Sequence, residues 1–170
     1  MIDAGIFDSD TPVELIEGFL LERMPRTPPH ACVTDDVRSA LDTILPPGWC
    51  TRAQNPITLS DSEPELDVVI ARGTRRDYAI RHPGPAGLAL VVEVADATLS
   101  RDRGTKQRIY ARASIPVYWI VDLVNRRVEV RTDPQGDTYR TLTVLSAGDA
   151  LSVVIDGVEV ATIQVSSLLP

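Results

Sequence analysis

Asp67 and Glu93 are acids set inside otherwise apolar, β-branched runs, Leu66 to Ala71 and Leu88 to Ala95. Ionised carboxylates are seldom buried unless they are paired or bound to a cation, because desolvation is too costly. Two such acids on neighbouring strands can share one divalent ion, and their hard oxygens suit Mg²⁺ or Mn²⁺. The competing reading sets both acids near strand ends, where they reach solvent or an arginine. Lys106 is the only lysine among the 17 basic residues. In that background it offers what arginine lacks, a compact ammonium that can give up a proton. At about 1.5 Å per residue it sits roughly 6 Å into a helix that Asp102 can cap. At about 3.3 Å per residue Glu93 sits roughly 7 Å back from the end of its strand. A helix folding back across the sheet sets the two at one level. An ammonium there could orient a water or stabilise charge on a phosphoryl group. A metal beside it could lower the pKa of bound water. A plain i,i+4 surface pair between Asp102 and Lys106 is the alternative.

The elements that must position these residues are legible as periodicity. Val13 to Ile16 and Phe19 to Met24 read as a β-hairpin about Glu17-Gly18. Pro25, Pro28 and Pro29 read as a loop ending near His30. Thr34 can cap a helix from Asp35 to Leu45, stopped by Pro46-Pro47-Gly48. Trp49 to Gln54 and Pro56 to Leu59 read as short strands. The two acid-bearing runs and Val117 to Asp122 read as strands buried on both faces. Between the acid-bearing strands, Arg81 to Pro85 reads as a crossing loop that carries His82. A helix starts at Ser100 or Asp102 and runs to about Ala113. Arg127 to Arg131 and Thr138 to Leu145 alternate as an antiparallel meander. Val153 to Ile155 and Val158 to Ile163 add an edge hairpin around Asp156-Gly157. The expected class is α/β (α+β), a mixed central sheet flanked by helices. Residues 1–11 read as a loose tail and 12–170 as one domain.

Composition narrows the function classes. A chain of 170 residues with 44% hydrophobic content can bury a core unaided. No apolar run reaches bilayer length, and the acidic start lacks the order of a signal peptide, so a cytoplasmic protein is expected. Cys32 and Cys50 lack the spacing of a zinc knuckle or a disulfide framework. A Cys/His nucleophile pair with His30 or His82 has no supporting motif. The net charge of −7 argues against a general nucleic-acid coating protein. Arginines nevertheless cluster at Arg72, Arg75, Arg76 and Arg81, and again from Arg101 to Arg112. Such a face can grip a polyanion; the alternative is a merely solvated surface. Tyr118 and Trp119 could stack on bases only if exposed, and their apolar neighbours favour core packing.

From Leu66 to Asp122 the chain resembles the Uma-two family of restriction-endonuclease-like proteins, within the PD-(D/E)XK nuclease superfamily. The matching pieces are Leu66-Asp67-Val68-Val69-Ile70 and Leu90-Val91-Val92-Glu93-Val94. Asp102, Lys106 and Tyr110 follow on one helix, then Ile115-Pro116-Val117-Tyr118-Trp119-Ile120-Val121-Asp122. Glu14 to Gly18 and His30 resemble the family's opening hairpin and the histidine that leads its first helix. The resemblance implies a restriction-endonuclease-like fold and a metal-dependent nuclease. It makes Asp67 and Glu93 the metal-binding acids and Lys106 a catalytic lysine moved from strand to helix, with Ala95 in the ordinary lysine position. Leu66 stands in place of the usual proline, and Asp96-Ala97-Thr98 in place of a Ser-Pro-rich loop. Accessory candidates are Glu17, His30, Asp96 and Asp102. Arg101 and Arg103 are candidates for holding phosphate. DNA is the expected partner, and the fold class suggests a homodimer. A silent nuclease-like scaffold and a hydrolase of small phosphate esters are the rival readings.

Overall fold

The computed structural model describes residues 12–170. It opens with strands β1 (Val13–Ile16) and β2 (Phe19–Glu22), helix α1 (Pro28–Asp42), and strands β3 (Trp49–Pro56), β4 (Glu65–Arg72) and β5 (Leu88–Ala95). A helical turn α2 (Leu99–Arg101), a π-helical segment (Asp102–Lys106) and helix α3 (Gln107–Arg112) follow as one continuous coil. Strands β6 (Val117–Asp122), β7 (Arg127–Gln135), β8 (Thr138–Ser146), β9 (Ala150–Ile155) and β10 (Val158–Gln164) complete the chain. The expected tail, 1–11, lies outside the described residues.

Six strands form a mixed sheet in the order β3-β4-β5-β6-β7-β8. Only β5 and β6 run parallel, so the chain must cross over between them, and the α2–α3 coil is that crossover. Every residue of β5 and β6 is buried, which explains their near-continuous apolar runs. On one face, Val33, Val37 and Leu41 of α1 share a core with Val68, Ile70, Val92 and Trp119. On the other, Ile109 and Tyr110 of α3 share a core with Val69, Val91, Tyr118 and Ile120. The fold is thus the mixed sheet with flanking helices that the sequence leads one to expect. Tyr118 and Trp119 are fully buried in these cores. Among the described residues no helix is long and apolar enough to cross a membrane.

Three local expectations are corrected. Helix α1 starts at Pro28, not at Asp35, and its cap is Thr27, whose hydroxyl accepts from the His30 N–H. Pro28 and Pro29 occupy the first turn, where a missing N–H costs nothing and the fixed φ already suits a helix. Thr34 instead lies inside the helix and donates to the His30 carbonyl at 2.8 Å. Second, β3 continues unbroken to Pro56, and no strand covers 57–59; Ile57 and Leu59 donate to Pro64 and Ser62 across a loop. Third, β9 and β10 form their own two-stranded sheet rather than an edge of the main one. Leu151, Val153 and Ile155 are buried in the α1-side core, so this hairpin lies over the sheet, where an alternating apolar face finds cover. Its turn, Asp156-Gly157, and the β1–β2 turn, Glu17-Gly18, both have positive φ at each residue, as type I′ hairpin turns require.

Thr27→Ala is expected to lower the unfolding free energy by about 1 kcal/mol, the usual cost of losing an N-cap. Urea unfolding measures it, and an unchanged midpoint would remove Thr27 as the cap.

Candidate active site

The site forms where β4 and β5 stop pairing. Val68 with Val92 is the last pair of their ladder. One residue further, Asp67 and Glu93 stand across from each other. There the Val94 N–H donates to Asp67 Oδ2 at 2.8 Å instead of to a strand carbonyl. A pocket of about 450 Å³ opens at this end, lined by Glu14, His30, Asp67, Glu93, Arg101 and Lys106 among others.

The side chains come from α1, β4, β5 and the crossover coil. Lys106, at the end of the π segment, places Nζ 2.8 Å from Glu93 Oε1 and 4.0 Å from Asp102 Oδ1. The π geometry is marked by the Gln107 N–H reaching back to the Asp102 carbonyl, and it leaves both Asp102 and Lys106 buried. Such segments are rare and mostly single turns inside α-helices. Tyr110, on the next turn, donates its hydroxyl to Glu93 Oε1 at 2.6 Å. Thr98 donates to Asp102 Oδ2 at 2.6 Å, and Tyr118 donates to the Asp102 carbonyl at 3.1 Å. His30 reaches Asp67 because α1 begins early: its Nε2 lies 3.2 Å from Asp67 Oδ2.

The electrostatics are unbalanced. Glu93 is 3% exposed, and burial, with Asp67 and Asp102 adding to it against Lys106, pushes its carboxyl up to about 8. Burial likewise raises Asp102, against Lys106 and Thr98. Burial also pushes Asp67 up, but the His30 hydrogen bond and charge, Lys106 and the Val94 N–H outweigh it, and the net direction is down. For Lys106, burial acts downward, and the carboxylates of Glu93, Asp102 and Asp67 overcome it and keep the ammonium charged.

Of the residues anticipated from sequence, the fold brings Asp67, Glu93, Lys106, Asp102 and His30 together. Arg101 lines the same pocket and pairs with Glu14. Arg103 turns away and is committed to Glu129 and Asp122. Asp96 lies outside the lining and accepts from Thr27 at 2.9 Å. Glu17 is a turn residue clamped by Arg108 at 3.0 Å and Arg112 at 3.3 Å, also outside the pocket. The expected basic face is largely neutralised, since Arg72 pairs with Asp156, Arg75 with Asp42 and Arg112 with Asp137.

Glu14 is the residue that sequence reasoning missed. It is 5% exposed, and its Oε2 has no hydrogen-bond partner. The available signal was Ile16, buried two residues on, because alternate strand residues share a face. Among the described residues no three acid, histidine or cysteine side chains converge tightly enough to cage a metal ion. The donor set still fits a hard cation of the Mg²⁺ kind, which keeps several waters and binds through one or two carboxylates. Two observations favour that fit: the orphaned Glu14 oxygen, and the upward push that burial and the neighbouring acids put on the Glu93 carboxyl, which a cation beside it would counter.

Raised above the usual 4.5, the Glu93 carboxyl makes the folded state bind more protons than the unfolded chain between about pH 4.5 and 8. In metal-free buffer this contribution is full below that window and is lost as pH rises through it, at up to about 1.4 kcal/mol per pH unit. Glu93→Gln is expected to flatten that slope. Urea midpoints measured from pH 5 to 8 test it, and an equal slope in both proteins would contradict the assignment.

The Uma2 family, described as "Putative restriction endonuclease", matches residues 3–164. No curated protein matches the chain. Among solved structures, the chain is similar to a crystal structure of a "putative nuclease belonging to DUF820" from Anabaena variabilis ATCC 29413. The identity is 14%, the TM-score 0.71, and the match covers 98% of this chain and 94% of that one. At that identity the likeness speaks for the fold alone. The family match spans nearly the whole chain, from before the opening hairpin to the end of β10, and the chain belongs to the Uma2 family.

Proposed function

We propose that this protein is a metal-dependent endonuclease that hydrolyses DNA phosphodiester bonds, with Asp67, Glu93 and Lys106 as its catalytic residues. The observation that carries the reading is the buried Lys106 ammonium, 2.8 Å from Glu93, inside an excess of carboxylates that open onto a pocket. Membership of the Uma2 family supports it.

Asp67 and Glu93 would hold Mg²⁺ or Mn²⁺, with Glu14 as a further oxygen donor. Such an ion would supply Lewis acidity there, lowering the pKa of a bound water and polarising a phosphoryl oxygen. The chain's own groups do the positioning. His30 and the Val94 N–H fix the Asp67 carboxylate, and Tyr110 fixes Glu93. Asp102, held by Thr98, keeps Lys106 beside Glu93. The ammonium donates to the phosphate oxygen on which charge grows, a role worth most where water is excluded. Arg101, beside Glu14 in the pocket wall, is the phosphate contact nearest the site.

Cleavage of circular plasmid DNA in Mg²⁺ or Mn²⁺ tests this reading. Wild type is expected to nick or linearise the plasmid and to stop when the metal is chelated. Lys106→Ala is expected to lose at least about 100-fold in rate, and Lys106→Arg most of the activity, because guanidinium replaces a compact ammonium. Cleavage by Lys106→Ala at the wild-type rate would remove the lysine from the mechanism. No cleavage by wild type would shift the reading to a binding scaffold or a small phosphate ester.

A homodimer would let two such sites cut both strands. The outer edge of β8 supports it: this nine-residue strand ends the sheet, pairs only with β7 among the described residues, and exposes Leu142 and Val144. Long apolar edges invite pairing with another strand. Antiparallel self-pairing about Leu142 sets Arg140 opposite Val144, so no like charges meet. Sedimentation equilibrium is expected to give twice the 18.6 kDa chain mass for wild type and the monomer for Leu142→Lys. A wild-type monomer would end the dimer proposal.

A further inference from the structure

A second cavity, of about 460 Å³, runs along β3 and is lined by Asp35, Arg38, Thr51, Arg52, Gln54 and Arg75, among others. Three guanidinium groups converge on it from α1, β3 and the turn after β4. Two carboxylates face them. Asp35 lies 3.9 Å from Arg38, and Asp42 lies 3.8 Å from Arg38 and 3.2 Å from Arg75. One cation is left over, and it is Arg52, which has no carboxylate partner among the described residues.

Arg52 is built in rather than waving in solvent. Its guanidinium carbon sits 5.1 Å above the Tyr78 ring, and its Nη2 donates to Asn55 Oδ1 at 3.3 Å. Its Nε is buried without any hydrogen-bond partner. A buried, charged donor left open is costly unless a ligand completes it. A planar fork of donors suits a phosphate oxygen pair.

The register of the sheet says which phosphate. Ala53 pairs with Val68 and Asn55 with Leu66, so Gln54 stands across the ladder from Asp67. Neighbouring strands lie about 4.8 Å apart. Gln54, which lines the arginine cavity, is therefore one strand from the acid at the heart of the candidate active site. We propose that the Arg38–Arg52–Arg75 cavity binds a backbone phosphate of the nucleic-acid strand, flanking the phosphodiester that enters the Asp67–Glu93 site. The inference rests on the endonuclease reading, which supplies the strand. It also answers the charge problem, because a net −7 protein needs few, well-made phosphate contacts rather than a broad basic face.

The test is fluorescence anisotropy of a labelled single-stranded oligonucleotide on the full chain, in chelator, across a range of salt. Arg52→Gln is expected to weaken binding several-fold. It should also lower the slope of log K against log salt by about 0.7, the signature of one lost phosphate contact on a single strand. Arg38→Gln, whose side chain is 37% exposed, is expected to move both quantities the same way and covers the case in which Arg52→Gln fails to fold. Arg126→Gln, exposed in the turn between β6 and β7, is expected to change neither. Unaltered slopes in Arg52→Gln and Arg38→Gln beside a cutting wild type would overturn the cavity alone. An Arg52-dependent slope in a wild type that binds but never cuts would uphold the cavity and overturn the nuclease reading. A wild type that binds no oligonucleotide would overturn the cavity.

Discussion

One buried ammonium fixes how the sheet and its crossover helix meet. Lys106 is 8% exposed, Glu93 3% and Asp102 1%, so the lysine and its two carboxylate neighbours lie almost wholly away from water. A charge so placed is tolerable only while its partners stay within reach, and removal of one partner leaves the others uncompensated. The helix therefore cannot slide along β5 without breaking the Lys106–Glu93 contact. The π segment, the Tyr110 hydroxyl and the Thr98 hydroxyl all serve that same fixed point. Packing alone would not set the position so narrowly, because Ile109 and Ala111 could slip across an apolar face at little cost.

The arginines do comparable work elsewhere, as struts. Arg103 reaches from the crossover to Glu129 and Asp122, and Arg131 ties Glu129 to Gln107 at the start of α3. Arg108 reaches across 91 positions of sequence to Glu17 and so pins the opening hairpin to α3. That hairpin carries Glu14 into the pocket. The partly exposed Arg108–Glu17 pair adds little to stability, whereas the Arg131–Glu129 pair is buried. Their consequence is geometric: they decide where the hairpin and the helix sit relative to the sheet.

What was legible in the sequence follows from range. The strands β4, β5 and β6 are found to within a residue because burial on both faces writes itself into a local apolar run. Asp67 and Glu93 are conspicuous because each interrupts such a run. The start of α1 was misread because two prolines signal a break and a helix N-terminus equally well, and only the Thr27 geometry separates them. Glu14 was missed because a short hairpin strand with one exposed partner resembles surface. The arginine clusters misled because their acids lie dozens of residues away, as Asp156 does for Arg72 and Asp42 for Arg75. The π segment has no periodicity signal short enough to fit within five residues.

The protein contains its own standard for what a merely structural acid site looks like. Asp122 and Glu129 are fully buried, yet Arg103, Arg127 and Arg131 surround them. Burial acts upward on both carboxyls. Asn125 and Arg127 at Asp122, and Arg103 and Arg131 at Glu129, overcome it, so both are held low. That cluster is complete and calls for nothing more. At the pocket the balance is reversed. Once Arg101 is paired with Glu14, the acids Asp67, Glu93 and Asp102 share Lys106 and the His30 imidazole, and two of the three are driven upward. A fold able to neutralise one acid cluster so thoroughly has left the other short of positive charge, and that one opens onto a cavity. The shortage is a standing cost to the free protein, and the divalent cation of the proposed function would relieve it.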